Sequence, residues 1–221
     1  MRKNLTELVF ILDRSGSMRG LEGDTIGGFN AMIEKQKKEA GDAGDVIVST
    51  VLFDDETEVL YDRVDIDKVE PMSDSQYYVR GCTALLDAIG GAIHHIGNAH
   101  KYARAEDVPE KTLFIITTDC YENASCHYTY ADVKKKVERQ KEKYGWEFIF
   151  LGANIDAAEV AGKFGFDRRK AYNYESDSAG TRLNYQVLSD AVSRVRRAKC
   201  SVEIDEAIEE CCEPIRKDYE K

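Results

Sequence analysis

Proline is scarce in this chain, three in 221 residues, and there is a single tryptophan. With so few prolines and no repeated tract, collagen-like and proline-rich classes are excluded. Positive charge is not in excess either. Thirty-one Lys and Arg face 41 Asp and Glu, a formal net charge of −10. That balance argues against nucleic acid or an anionic membrane as partner, because the long-range field has the wrong sign. No stretch approaches the ~18 uninterrupted apolar residues of a membrane-spanning helix. The Met-Arg-Lys start is what a signal peptide would show, but the apolar run 8–12 ends at Asp13, too short for a leader core. The expected location is therefore the cytoplasm. Six cysteines (82, 120, 126, 200, 211 and 212) show no CxxC or Cys/His zinc spacing and are too few for a disulfide scaffold.

What is present is enough apolar residue, 43%, to bury a sizeable core, and a regular alternation of strand and helix signals. Residues 7–13 (Glu-Leu-Val-Phe-Ile-Leu-Asp) form a continuous apolar run typical of a buried parallel strand. Asp24 is expected to cap a helix carrying Ile26, Phe29 and Ile33, which ends at the 41–44 break. Residues 46–53 and 57–61 read as an edge hairpin around the acidic turn Asp54-Asp55-Glu56. A helix follows Thr83, then a strand over 112–118, a charged solvent-facing helix over 131–144, a strand over 146–151 and a short helix over 157–164. A last short strand is expected over 170–174, and Leu183, Val187, Ala191 and Val195 stripe a long final helix with a basic end. This alternation predicts an α/β fold: a doubly wound, mainly parallel central sheet with one antiparallel edge strand and helices on both faces. Residues 1–198 would form the domain. Residues 199–221 form an acidic, cysteine-bearing tail, docked by an Ile204, Ile208, Cys211 stripe that Pro214 is expected to stop.

In such sheets ligands bind beyond the carboxyl ends of the strands, and there the sequence gathers oxygen. Asp13, Ser15 and Ser17 follow the first strand at alternate positions, with Gly16 allowing a bend; Thr83 sits at the turn into a helix, and Asp119 ends a strand. Singly, each has an ordinary structural use: loop-amide acceptors, a helix cap, an Asx-turn. Together, two carboxylates and three hydroxyls make a hard, all-oxygen set suited to Mg²⁺ or Mn²⁺ and ill-suited to zinc.

These residues resemble the metal-ion-dependent adhesion site of von Willebrand factor A domains. The similarity extends to Val51-Leu-Phe-Asp-Asp55 as second strand, Gly81-Cys-Thr-Ala-Leu85 as threonine loop, and the run 116–125 as aspartate loop, over about residues 5–198. Within the family the chain is most similar to single-domain bacterial cytoplasmic members of unassigned role. The resemblance implies metal contact by Ser15, Ser17 and Thr83, with Asp13 and Asp119 acting through water, and a position left for a Glu or Asp of a partner protein. It also implies a last helix, here 183–195, that shifts in some members. Cys82 and Cys120 depart from the pattern, placing thiols beside two proposed ligands with Cys126 nearby. Their plain use is to fill the space of a small residue; the alternative is a redox pair.

Two other features read as surface. His94 and His95 diverge by about 100° on their helix, and with His100 they are expected on a solvated face. The 134–143 run alternates Lys with Glu as an exposed helix does. Three functions stay open. The leading one is a non-enzymatic, Mg²⁺-dependent protein-binding module. The second is a Mg²⁺-dependent phosphoester hydrolase, disfavoured by the lack of Asp-x-Asp, of a phosphoryl-handling lysine and of a Walker loop or Gly-x-Ser-x-Gly elbow. The third is a self-assembling protein using its acidic tail as metal ligand. Oligomeric state is not legible.

Overall fold

The structure is a computed structural model describing residues 1–41 and 43–220; Asp42 of the expected 41–44 break and Lys221 of the tail lie outside them. Six strands form one sheet: β1 (Arg2–Asp13), β2 (Asp45–Phe53), β3 (Thr57–Asp65), β4 (Pro109–Thr118), β5 (Glu147–Gly152) and β6 (Ala171–Asn173). They run in the order β3-β2-β1-β4-β5-β6. Every pairing is parallel except β2 with β3 at the edge. The expected doubly wound sheet with one antiparallel edge strand is therefore the observed one.

The apolar run of β1 explains the layering. Successive strand residues point to opposite faces, so Leu8, Phe10 and Leu12 enter one core and Val9 and Ile11 the other. The first core is closed by α1 (Glu22–Lys38) and α5 (Ser178–Arg197), the second by α2 (Leu85–Tyr102), α3 (Tyr130–Tyr144) and α4 (Ala157–Phe164). As expected, α3 buries little, only Val133 and Val137. The chain leaves β1 toward β2 on one side and returns to β4 on the other. The order of strands thus reverses at the β1/β4 pair, the place where a doubly wound sheet opens a crevice.

Several local expectations are corrected. Asp24 does not cap α1. The helix starts at Glu22 with Leu21 before it, and Asp24 accepts instead from Arg182 Nε of α5 at 2.7 Å. β3 continues to Asp65, because irregular register against β2 keeps the strand paired past Tyr61. α2 starts at Leu85 behind Ala84, so Thr83 is not its cap. His94 and His95 are exposed, but His100 is not on a solvated face. Its ring packs edge-on to Trp146 at 5.3 Å and bonds to Glu7, a fully buried carboxylate of β1 that also accepts from Arg63 Nε at 2.8 Å.

α5 is not the last helix. Residues 201–219 form α6 (Ser201–Tyr219), which buries Ile204, Ala207, Ile208, Cys212 and Ile215 in the α1/α5 core. The docked residue is Cys212 rather than Cys211, since positions 204, 208, 212 and 215 share one helical face. Nor does Pro214 stop the helix. Pro214 lies on the exposed side, and burial of Ile215 beyond it holds the next turn in place.

A candidate metal site at the strand ends

β1 ends at Asp13, and Ser15 stays extended before a short 3₁₀ turn over Gly16–Met18. That path carries the residue 13, 15 and 17 side chains to the carboxyl end of β4. Asp13 Oδ1 accepts the Ser15 amide at 2.7 Å, and Oδ2 accepts the Thr118 hydroxyl at 2.6 Å. The Ser15 and Ser17 hydroxyls lie 3.0 Å apart, and Ser17 Oγ donates to Asp119 Oδ1 at 2.5 Å. Four of the five expected residues thus form one connected cluster, with Asp13 and Ser15 on its buried floor and Ser17 exposed at its lip.

Thr83 joins through its backbone. Its amide donates to Asn123 Oδ1 at 2.8 Å and its carbonyl accepts the Asn123 amide at 3.0 Å, tying its loop to the one after Asp119. The same loop accepts the Gly16 amide at Gly81 O, 3.2 Å, tying it to the first. Gly81 is required there. Its φ is +65°, and a Cβ would fall 1.7 Å from Asp55 Oδ1. The buried Thr83 side chain is thus held between the two loops that bear the carboxylates, with no hydrogen bond from its hydroxyl to the cluster.

Burial raises the Asp13 carboxyl to about 6, against the bonds from Thr118 and Ser15 that favour its charged form; the neighbouring Asp119 adds to the rise. Asp119 is also raised by burial, with Ser17 and Ser176 opposing. Among the described residues no Lys, Arg or His pairs with either carboxylate. Two buried acids without a counter-cation are costly, and a hard cation would relieve both. The donors present, carboxylate and hydroxyl oxygens only, fit Mg²⁺ or Mn²⁺. Among the described residues no group of three or more His, Cys, Asp or Glu that could hold a metal ion gathers, and this cluster offers two carboxylates beside its hydroxyls.

Much of the support around the cluster was not visible in the sequence. The acidic turn after β2 is buried at Asp54. That residue is fully buried, accepting from Arg14 Nε at 2.7 Å and Arg80 Nε at 2.8 Å. Burial alone would raise its carboxyl, but bonds from Arg80, the Glu56 amide and Arg14 hold it below the usual value. Arg14, also fully buried, spends its other edge on Glu58 at 2.7 Å. Glu122 accepts the Leu86, Ala124 and Ser125 amides, and Asp87 accepts those of Cys126, His127 and Tyr128, so the aspartate loop is wound onto the start of α2. From beneath, Tyr77 Oη donates to the Asp13 carbonyl at 2.5 Å. Arg14 and Thr118 stood beside proposed ligands, and Asp54, Glu122 and Asn123 within the matching segments, but their spacing gave no signal of these partners.

All six cysteines are free thiols. Cys82 and Cys126 are exposed; Cys120 is partly buried, and its Sγ accepts from Asn123 Nδ2 at 3.9 Å.

No family model matches the chain, and no curated protein matches it. Solved structures do. A von Willebrand factor type A protein from Catenulispora acidiphila superposes with TM-score 0.57 at 14% identity, covering 86% of this chain and 43% of that one. The PilB minor pilin from Streptococcus sanguinis gives 0.55 at 10%, covering 85% and 61%. Proximal thread matrix protein 1 from the mussel byssus, described with a zinc-occupied MIDAS motif, gives 0.53 at 15%, covering 94% and 46%. At these identities the likeness establishes the fold, that of von Willebrand factor A domains, and the chain spans less than two thirds of each neighbour. No helix among the described residues is long and apolar enough to cross a membrane.

Proposed function

We propose that this chain is a non-enzymatic protein-binding module whose site, built by Asp13, Ser15, Ser17, Thr83 and Asp119, holds Mg²⁺ or Mn²⁺ and recognises an acidic side chain of a partner protein. The observation that carries the reading is the meeting of the 13–17 loop with the strand end at 118–119, more than a hundred positions away, around two buried carboxylates that lack a counter-cation among the described residues.

The residues divide the work. Ser15 and Ser17 offer neutral oxygens at 3.0 Å from one another, while Thr83 is held by its own backbone with its hydroxyl free of structural duty to the loops. Asp13 and Asp119 supply the only formal charge, and Thr118 and Ser176 orient them. When bound, the ion would supply a Lewis-acid position to a carboxylate oxygen, since the hydroxyls of Ser15, Ser17 and Thr83 are neutral, weak donors. Affinity then depends on the surrounding rim, because one carboxylate offers little buried area.

A phosphoryl-transfer reading finds no support at the site, where no lysine or arginine faces the cluster among the described residues. The tail is poorly placed to be the acidic ligand through most of its length. Asp205, Glu209 and Glu210 are paired with Lys170, Arg169 and Arg194, holding α6 to the domain. Calorimetry with Mg²⁺ and Mn²⁺, followed by partner capture in Mg²⁺ and in EDTA, tests the proposal. Wild type should take up metal and capture a partner only in its presence, and Asp13→Ala should do neither while keeping its circular dichroism. Metal-independent capture would overturn it.

A further inference from the structure

Beside the site lies a cleft of about 570 Å³ lined by Tyr121, Asn154, Ile155, Asp156, Asn173 and Tyr219. It is joined to the metal cluster, since Asn154 Nδ2 donates to the Asp119 carbonyl at 3.4 Å and Tyr121 follows Asp119 by two residues. Asn154 itself holds a φ of 54°, which asparagine tolerates better than most side chains and which sets it at the corner between the two.

The walls have a distinct chemistry. Tyr121 lies in the loop after β4 and Tyr219 ends α6, and both leave nearly half their surface exposed, 49% and 43%. Two large aromatic faces open on one cleft are unusual for a surface with no use for them. Asp156 lies exposed among them, its Oδ1 accepting only the Glu159 amide at the start of α4. Lys163, beside Tyr121, is occupied by Glu159 at 2.7 Å. Asp156 is the only charged residue among those lining the cleft. An anionic group would meet like charge here, whereas a cation meets ring faces and carboxylate together.

We propose that this cleft is the second half of the recognition site: it takes a Lys or, better, an Arg side chain of the same partner segment whose acidic residue reaches the metal. Arg is favoured because a planar guanidinium can lie on a tyrosine ring while its edge bonds to Asp156. The partner is therefore a segment bearing both signs of charge a few residues apart, not simply an acidic one. This rests on the metal-dependent reading above.

Two synthetic peptides test it: acetyl-Gly-Asp-Gly-Gly-Arg-Gly-amide, and the same peptide with the uncharged, arginine-shaped citrulline replacing Arg. Each is titrated into ¹⁵N-labelled full-length protein in Mg²⁺ and in EDTA, with amide shifts as readout. The expected result is Mg²⁺-dependent binding of both, with the Arg peptide about fivefold tighter, the scale of an exposed cation–π contact with a carboxylate. That advantage should vanish in Asp156→Asn, which keeps the helix cap, and in Tyr121→Ala, while the citrulline peptide binds all three proteins alike. Equal affinity of the two peptides in Mg²⁺, or an advantage surviving both substitutions, overturns the cleft and leaves the metal site standing. Binding unaffected by EDTA, or no binding of either peptide, overturns the metal reading and the cleft with it.

Discussion

Burial holds the Asp13 carboxyl at about 6, above its ordinary 3.8, so the metal-free fold pays for the charged form at neutral pH. A folded-state value raised above the unfolded one means that the proton stabilises the fold. Stability from this group is fully present below pH 3.8 and is lost as pH rises through about 6. Metal-free wild type should therefore gain stability from pH 7 down to 5, and Asp13→Asn, which cannot ionise at this position, should show a smaller gain, that left by the raised Asp119. At pH 7.5 that variant should be more stable than metal-free wild type by about 1–3 kcal/mol, less whatever the altered bond to Thr118 costs. Proton and metal compete for the same oxygens, so the thermal stabilisation by Mg²⁺ should shrink below pH 6. An increment equal at pH 5 and 7.5 would mean that the carboxylate takes no part. Asp54 runs the other way. Its value is lowered, so its contribution is present at neutral pH and is lost only in acid, below the ordinary carboxylate range. Removing its buried partner in Arg14→Met should cost about 3 kcal/mol in urea unfolding, the low end for a broken buried pair because Arg80 still reaches Asp54.

At the scale of elements, α6 was the least legible part of the chain. Its stripe begins visibly in the sequence at Ile204 and Ile208, but Pro214 signals a stop, and only the packed core, with Cys212 and Ile215 buried, shows why it does not act as one. The exposed Pro214 removes a backbone bond and keeps no compensating contact in the core. Pro214→Ala should thus stabilise the protein, by about 1–3 kcal/mol in urea unfolding. No change, or a loss, would show that the proline fits the bend of the helix better than a regular turn does. The contrary substitution, Ile208→Ala at a fully buried position, should cost about 2–5 kcal/mol if α6 is integral to the fold. β1 and β4, by contrast, announced themselves as continuous apolar runs, because a strand buried on both faces has no polar side to confuse the pattern. Helix starts were misread where a nearby acid looked like a cap; Asp24 is spent on Arg182 of α5, a partner 158 residues away that no local rule could supply.

For the whole molecule, the reversal of strand order at β1/β4 explains why residues from three distant loops meet. The ends of two adjacent parallel strands and the loop before α2 share one crevice, and the proposed ligands stood at those strand ends in the sequence. What the sequence could not convey was how the crevice is held, through Arg14, Asp54, Asn123, Glu122 and Asp87, since each bond spans roughly forty positions. None of those bonds runs through the proposed ligand oxygens, which gives the site a clean test. At Mg²⁺ a hundredfold above its dissociation constant, linkage adds about 2.7 kcal/mol, a rise of roughly 5–11 °C in Tm for a domain of this size, reversed by EDTA. Thr83→Ala should abolish most of that rise while leaving the metal-free Tm near wild type, because the two bonds Thr83 makes to Asn123 use its backbone alone. A metal-free Tm that falls with the substitution would give the hydroxyl a structural task instead. An undiminished Mg²⁺ shift would remove Thr83 from the ligand set and leave a site built from the first and third loops only.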